Sequence, residues 1–401
     1  MSWQPRRLDQ LGYVSRGRSR HRPRDAAHLY GGSYPFIQTG DVKHAGLYIT
    51  SCGQTYSEAG LEQSKLWPVG TLCITIAANI ADTAILGIEA CFPDSVIGFI
   101  ADPEKADPRF IKYLFDAEVQ KRFKQFTQGA AQDNLSQEKL LSLEFKIPIG
   151  VDEQKRIADL LSAYDGLIEN NRRRMALLEE SARLLYREWF VRLRFPGYEH
   201  TRMIDGVPEG WDRKTVGSLG KIITGKTPST KDLDNFGSFV PFIKTPDMHT
   251  SSIVLFTEEY LSEKGANSQR HKTLPLNSIL VACIGAKLGV VSLNGLESQT
   301  NQQINAVVPT KESFTYYSYF TLKEFRQKLL AIGGGATMPN VNKSKFESMP
   351  VIIPAEHLLS SFHETVKQNF EQIKTLILMN KKLETARDLL LPRLMSGEIA
   401  A

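Results

Sequence analysis

The 401-residue chain says nearly the same thing twice. "YPFIQTGDV" at 34–42 returns as "VPFIKTPDM" at 240–248, so that Pro35, Phe36, Ile37, Thr39 and Asp41 reappear as Pro241, Phe242, Ile243, Thr245 and Asp247 at a shift of 206. "GAAQDNLSQEKLLSLEFKIP" (129–148) aligns with "GATMPNVNKSKFESMPVIIP" (335–354) at the same shift. The beginning repeats at a shift of 208 (Trp3/Trp211, Leu11/Leu219, Gly12/Gly220, Gly17/Gly225), and "LEESARLL" (178–185) matches "LETARDLL" (383–390) at 205. Small loop insertions account for the drift. A period of about two hundred residues is too long for a solenoid and right for a duplicated domain.

Each copy runs through the same order. Short runs rich in Val, Ile and Thr come first: "GTLCITIAA" and "DSVIGFIA" in one, "NSILVACIG" and "INAVVP" in the other. These read as strands, with helices near 108–126 and 313–331. A Pro-terminated strand ("FKIPI", "VIIP") then gives way to a long helical pattern. In the first copy Ile157, Leu161, Tyr164, Ile168, Asn171, Met175, Leu178, Ala182, Leu185 and Trp189 follow one another in steps of four and three. That is the seam of a coiled coil, and Asn171 is its one polar member, of a kind that fixes register at a cost in stability. The second pattern, about 358–391, carries Phe362, Val366, Ile373, Leu376, Leu383 and Leu390, interrupted by Asn369, Asn380 and Arg387. Packing of each helix on its own domain is the simpler reading. As helix, however, residues 157–190 span roughly 50 Å, more than a small domain is wide.

Composition narrows the class. With 42% apolar and 23% charged residues, disorder and fibres are excluded. No apolar run reaches the length of a membrane span, and "MSWQPRRLDQ" lacks the apolar core of a secretory signal. Cys52, Cys73, Cys91 and Cys283 form no Cys-x-x-Cys pair, which fits reduced cytosolic thiols and argues against a zinc ribbon. The net charge of +5 is unevenly spread: seven arginines (Arg6, Arg7, Arg16, Arg18, Arg20, Arg22, Arg24) fall in the first 24 residues against one acid, Asp9. Such a cluster suits phosphates, and equally a solvated basic terminus.

If the two helices pair, the second must run back toward the first copy, so they are antiparallel, with the globular parts at the two ends of a rod and an approximate two-fold between them. Dimeric DNA readers place two heads on two half-sites in this way. Two similar but unlike heads on one chain would read two different half-sites, with the rod as ruler. The whole chain resembles the specificity subunit of a type I restriction–modification enzyme. The resemblance rests on the repeated recognition domain with its helical spacer, on "IPIGVDEQKRIADLLSAYDGLIENN" (147–171) at the spacer entry, on "IDGVPEGW" (204–211) opening the second domain, and on "LLLPRLMSGEI" (389–399) at the carboxyl end. The second spacer entry, "PAEHLLSSF" (354–362), departs from it by lacking a counterpart of Gln154.

The resemblance implies a mixed α/β fold: target-recognition domains at 1–150 and 201–355, a first spacer helix at 151–200, and a second with the tail at 356–401. It implies that this chain has no catalytic site, metal or cofactor of its own. Its partners would be double-stranded DNA, two methylation subunits that bind S-adenosylmethionine and modify adenine, and restriction subunits that use ATP and magnesium, all in the cytoplasm. The seam residues of both helices are then candidates for helix pairing and partner docking.

One motif points elsewhere. "GKIITGKT" (220–227) satisfies Gly-x-x-x-x-Gly-Lys-Thr, but a phosphate-binding loop needs a buried strand before the first Gly and a helix at the Lys-Thr. "DRKTVGSL" is a poor buried strand, and Pro228 followed by "STKDLDNFG" offers a helix no apolar face. The equivalent stretch, "GYVSRGRS" (12–19), keeps both glycines without the Lys. A basic turn facing phosphates in both copies fits better: Arg16, Arg18, Arg20 and Arg22 in one, Lys226, Thr227, Ser229 and Lys231 in the other. A solvated loop is the bland alternative.

Residues shared by the copies should build the fold, and those that differ should read bases. Thr39/Thr245 and Asp41/Asp247 are shared and suit a turn. Gln38, Lys43 and Asn79 in the first copy and Lys244 and Lys287 in the second differ and are candidate DNA contacts. Gln302 and Asn305 suit either contacts or buried backbone. A free-standing methyltransferase needs an Asn/Asp-Pro-Pro-aromatic motif, which is absent; a nuclease needs clustered carboxylates and a lysine, but "EFK" (144–146) and "EQK" (153–155) lie some fifty residues beyond the nearest preceding Pro-Asp, Pro93-Asp94. A coiled-coil scaffold without DNA readout is the remaining alternative; it explains the rod but not two basic turns.

Overall fold

Why the glycines recur becomes plain in the computed structural model, which describes residues 3–77, 80–119, 136–249, 251–334 and 339–401. Asn79, the 120–126 end of the first expected helix, and parts of the 129–148/335–354 echo lie outside the described residues. A side chain at Gly12 would put its Cβ 2.2 Å from the Ile100 carbonyl oxygen, and one at Gly220 would stand 2.1 Å from that of Val308. Gly17 and Gly225 are equally confined, 2.3 Å from Phe92 O and 2.1 Å from Asn301 O. Two crossings of backbone over backbone therefore demand glycine, and each is made twice.

The chain divides into two compact units, Met1–Asn170 with Asn380–Ala401, and Asn171–Met379. The first holds a five-stranded sheet of β1 (Gly12–Arg16), β2 (Tyr48–Ile49), β3 (Leu72–Thr75), β4 (Thr83–Leu86) and β5 (Val96–Ala101) in the order β1-β5-β3-β4-β2. The second holds β6 (Gly220–Thr224), β7 (Ile253–Val254), β8 (Ile279–Ala282), β9 (Val291–Asn294) and β10 (Ile304–Pro309) in the order β6-β10-β8-β9-β7. The topology is the same throughout, down to the single parallel pairing of β2 with β4 and of β7 with β9. The continuous apolar runs fall where such runs belong: β3 and β8 are central and every residue in them is buried.

Beside each sheet lies a strand with one irregularity in the same place. Tyr30–Phe36 pairs with Gln54–Tyr56 and slips register between Tyr30 and Tyr34; Phe236–Ile243 pairs with Tyr260–Leu261 and slips between Phe236 and Val240. Each unit is closed by pairing its first strand with the Pro-terminated one, Trp3–Arg7 with Glu144–Pro148 and Asp212–Thr215 with Pro350–Ile353.

Two long helices follow those closures, α1 (Val151–Tyr186) and α2 (Glu356–Met395). Gln154 is fully buried at the start of α1; its amide donates to the carbonyls of Pro148 and Lys105 (both 3.2 Å) and its oxygen accepts from Asp107 N (3.1 Å). Where the second copy lacks that glutamine, Glu356 does the same work by charge. It accepts from Lys311 Nζ and Ser313 Oγ, both at 2.8 Å, in the segment equivalent to 105–107.

Within each unit one half of α1 meets one half of α2, and the partners run oppositely. In the first, Ile157 and Leu161 share a core with Leu394 and Met395, with Leu390 packed against it; farther along α1, Ile168 O accepts from Asn380 Nδ2 (3.4 Å). In the second, Leu178 and Leu185 pack against Phe362, Val366 and Ile373, and Asn369 Nδ2 donates to Leu178 O (3.0 Å). Ile168, Asn171 and Leu376 are buried, Tyr164, Trp189 and Leu383 half-buried, so no residue of the expected stripe faces solvent. The helical pair is antiparallel, as the repeat required. Among the described residues no helix is long and apolar enough to cross a membrane.

One buried group in this packing makes stability depend on pH. His363 of α2 is buried beside Tyr316 (ring centroids 4.9 Å), with Nε2 3.5 Å from Glu312 Oε1 and with Lys367 and Glu364 nearby. Burial pushes its pKa below the ordinary imidazole value, against the opposing pull of Glu312. A histidine whose folded pKa lies below its unfolded one stabilises nothing by protonation: the unfolded chain takes the proton, so stability is full above about pH 6.5 and falls as the pH drops below it. His363→Phe is therefore expected to flatten the thermal stability profile of the second unit between about pH 5 and pH 7. Parallel slopes in wild type and variant would rule the effect out.

Candidate nucleic-acid interface

The basic turn of the first unit begins where β1 ends, at Arg16. Arg16 Nε donates to Asp94 O (2.9 Å), and Arg24 grips the Asp94 carboxylate (2.8 Å), so the two ends of the turn are tied to one residue. Arg22 folds back on the turn itself, donating to the carbonyls of Ser19 (2.7 Å) and His21 (2.8 Å). From beneath, Gln63 Oε1 accepts from His21 N (3.0 Å) and Ser64 Oγ donates to Arg18 O (2.8 Å). Arg18 and Arg20 are exposed and make no ion pair among the described residues. Beside them Lys65 lies over the rings of Trp67 (3.8 Å) and Tyr13 (4.5 Å), and hydrogen bonds with Ser15 and Lys65 hold the Tyr13 phenol below its ordinary pKa. Sequence had grouped four arginines as equals. The fold sets two of them to hold the turn and leaves two outward.

In the second unit the turn follows β6. Gly220 opens that strand rather than closing one, and no helix starts at Lys226-Thr227, so the phosphate-loop pattern has neither of its required flanks. Lys226 N donates to Thr300 O (2.9 Å), and Thr227 Oγ1 to Gln302 Oε1 (2.7 Å). Ser229 O accepts from the Asn235 amide (3.0 Å). Lys226, Ser229 and Lys231 are exposed, and neither lysine makes an ion pair among the described residues.

The other candidates divide. Asp41 and Asp247 each accept from the backbone N–H three residues earlier, Gln38 N and Lys244 N, both at 2.7 Å, which is turn work in both copies. Gln38 is exposed and donates to Gln54 Oε1 (2.6 Å). Lys244 is ion-paired with Glu259. Lys287 is exposed near His249, whose pKa is lowered by burial and then by that lysine. Lys43 lies in the lining of an open cavity of about 410 Å³ with Lys112 and Arg387 against Asp82, Asp116 and Asp388. That lining balances its own charge. Asn305 is buried and accepts from Thr224 Oγ1 (2.7 Å), a structural role, whereas Gln302 is exposed.

Comparison with known proteins decides the family. The family model described as type I restriction modification DNA specificity domain matches residues 1–180 and again 208–384. The chain belongs to the type I restriction–modification specificity subunits. It is 43% identical over 197 residues to the HindI specificity subunit of Haemophilus influenzae, an alignment spanning 48% of this chain and 42% of that one. It is 24% identical to the MjaIX specificity subunit of Methanocaldococcus jannaschii, with 99% of this chain and 93% of the relative covered. Its fold is that of the S subunit from M. genitalium (TM-score 0.58, 16% identity, 98% and 96% of the two chains covered).

For a specificity subunit, one basic run escaped the sequence reading. Arg270, His271 and Lys272 form a short turn right after Gln269, and Gln269 Nε2 donates to Lys226 O (2.8 Å). The run Arg-His-Lys is visible in the sequence, but nothing there brings it beside Lys226, forty-odd residues away. Phe239, 62% exposed in the slipped stretch of its strand, was likewise unmarked.

Proposed function

We propose that the chain reads a split, asymmetric DNA sequence, one half-site per unit, and directs adenine methylation by two methylation subunits. In the complete enzyme it would direct restriction by ATP- and magnesium-using subunits as well. S-adenosylmethionine and ATP would act in those partners, and this chain would carry recognition alone. The observation that carries the reading is one scaffold presenting two different sets of outward cations. The same edge strand, the same crossing glycine and the same supporting turn recur, while the loop reads Arg18 and Arg20 in one unit and Lys226 and Lys231 in the other. Invariant support with varied loops is how two unlike sequences are read by one fold. The α1–α2 pair would set the distance between half-sites.

The test is a methylation map of DNA from a methylation-free host expressing the chain with its methylation subunit, and with each omitted in turn. Methyl-adenine confined to one split motif, and only when both are present, is the expected result. No methylation despite a soluble complex would return the chain to a coiled-coil scaffold.

A further inference from the structure

We infer that in the second unit the turn Arg270–Lys272 is a second phosphate-contacting segment, locked to the Lys226 loop through Gln269 so that the two grip the DNA backbone as one surface. This rests on the DNA-reading function proposed above and assigns it residues outside that proposal.

Three observations carry it. First, the connection is built, not incidental. Gln269 is 1% exposed, and its amide donates both to Lys226 O and to Gln299 Oε1, each at 2.8 Å. Gln299 in turn donates to Ala266 O (3.0 Å) and Thr273 Oγ1 (2.9 Å). The turn closes on itself, with Lys272 N donating to Gln269 O (2.8 Å) and Thr273 N to Arg270 O (3.0 Å). A buried amide network of this kind fixes geometry, so the backbone that bears Arg270 and Lys272 is held in place before any ligand arrives.

Second, the charge is left unbalanced. Arg270, His271 and Lys272 make no ion pair among the described residues, whereas their neighbour Lys264 is neutralised by Asp232 (2.8 Å) and Asp234 (3.6 Å). Two uncompensated cations, Arg270 and Lys272, held this close repel one another and suit an anion with regularly spaced charges.

Third, the first unit shows the same device with its load elsewhere. There Gln63 and Ser64 clamp the loop at His21 and Arg18, but the next residue, Lys65, is spent over Tyr13 and Trp67. Each loop carries two outward cations, Arg18 and Arg20 in the first unit and Lys226 and Lys231 in the second; the second unit's clamp adds Arg270 and Lys272, where the first unit's clamp spends its lysine on the two rings.

The experiment is fluorescence anisotropy of the full chain, co-purified with its methylation subunit, on a labelled 30-base-pair duplex of mixed sequence over a salt series. Arg270→Ala/Lys272→Ala is compared with wild type and with Lys264→Ala. The double variant is expected to bind roughly tenfold or more weakly at 0.1 M salt and to show a log K against log salt slope shallower by about 2, near 0.9 per lost phosphate contact. Lys264→Ala should keep the wild-type slope. An unchanged slope in the double variant, with wild type binding normally, overturns this inference and leaves the DNA-reading function standing. An equal loss in Lys264→Ala also overturns it, since that would be a general effect of net charge. Failure of wild type itself to bind the duplex would sink the DNA-reading function and this inference together.

Discussion

Phe362→Ala is expected to cost the second unit about 3–5 kcal/mol, the usual penalty for truncating a buried phenylalanine. Phe362 is fully buried on α2. Its ring meets Phe190 at 5.1 Å, Trp189 at 6.0 Å, Tyr186 at 6.3 Å and Phe320 at 6.4 Å between centroids. Those partners come from the end of α1 and the segment after it, and from the helix Thr315–Glu324 beneath the sheet. One side chain therefore joins three elements, and the cavity it leaves cannot be filled by any one of them moving. At about 2–4 °C per kcal/mol for a unit of this size, the midpoint of the second unit should fall by roughly 6–20 °C. Calorimetry of the full chain checks it. A fall of less than about 3 °C would mean the cluster repacks around the gap.

The second large effect is electrostatic. Asp165, 9% exposed on its side chain, accepts from the Tyr113 hydroxyl and from Arg387 Nη1, all within the first unit. Burial opposes the charge on Arg387, but the Asp165 and Asp388 carboxylates together more than offset it and hold the guanidinium pKa above its ordinary value. Burial, then Asp165, likewise drives the Tyr113 phenol upward, so the hydroxyl stays protonated and donating. Arg387→Ala would strand the carboxylate, and breaking such a pair on one side costs about 3–5 kcal/mol; with Arg387 a quarter exposed, the lower end is expected. Asp165→Asn/Arg387→Met should lose less than Arg387→Ala alone, because no buried charge remains. Denaturant titration of the three proteins checks this ordering. A double variant worse than the single one would show that shape, not charge, is what the pair supplies.

The second unit solves the same docking differently. Tyr319, at the position equivalent to Tyr113, donates to Glu179 Oε1 (2.7 Å), an acid of α1 like Asp165 but not at the position the repeat would make its equivalent. The tyrosine is fixed by the repeat and its acid is not.

That contrast describes what sequence could and could not reveal. The heptad seam was legible because burial along a helix is periodic, and Asn171 and Asn380 are buried members of it. The crossing glycines were legible because only a repeat shows that the same position is twice refused a side chain. The departure at the second spacer entry was visible, but not that Glu356 would replace a buried amide by an ion pair. Among the basic residues, sequence could not separate Arg22, which braces its own loop, from Arg18, which does not, nor see that Lys244 is spent on Glu259. Those outcomes depend on acids and carbonyls brought near only by folding. Arg270–Lys272 was missed for the converse reason: Gln269 joins it to Lys226 through a buried hydrogen bond that has no periodicity and no motif.

The central claim is that each unit reads its own half of one split site. It is tested most directly by replacing residues 208–355 with the corresponding segment of a specificity subunit of different target sequence and mapping methyl-adenine before and after. One half of the motif should change while the other half stays as it was. A motif in which both halves change, or neither does, would contradict it.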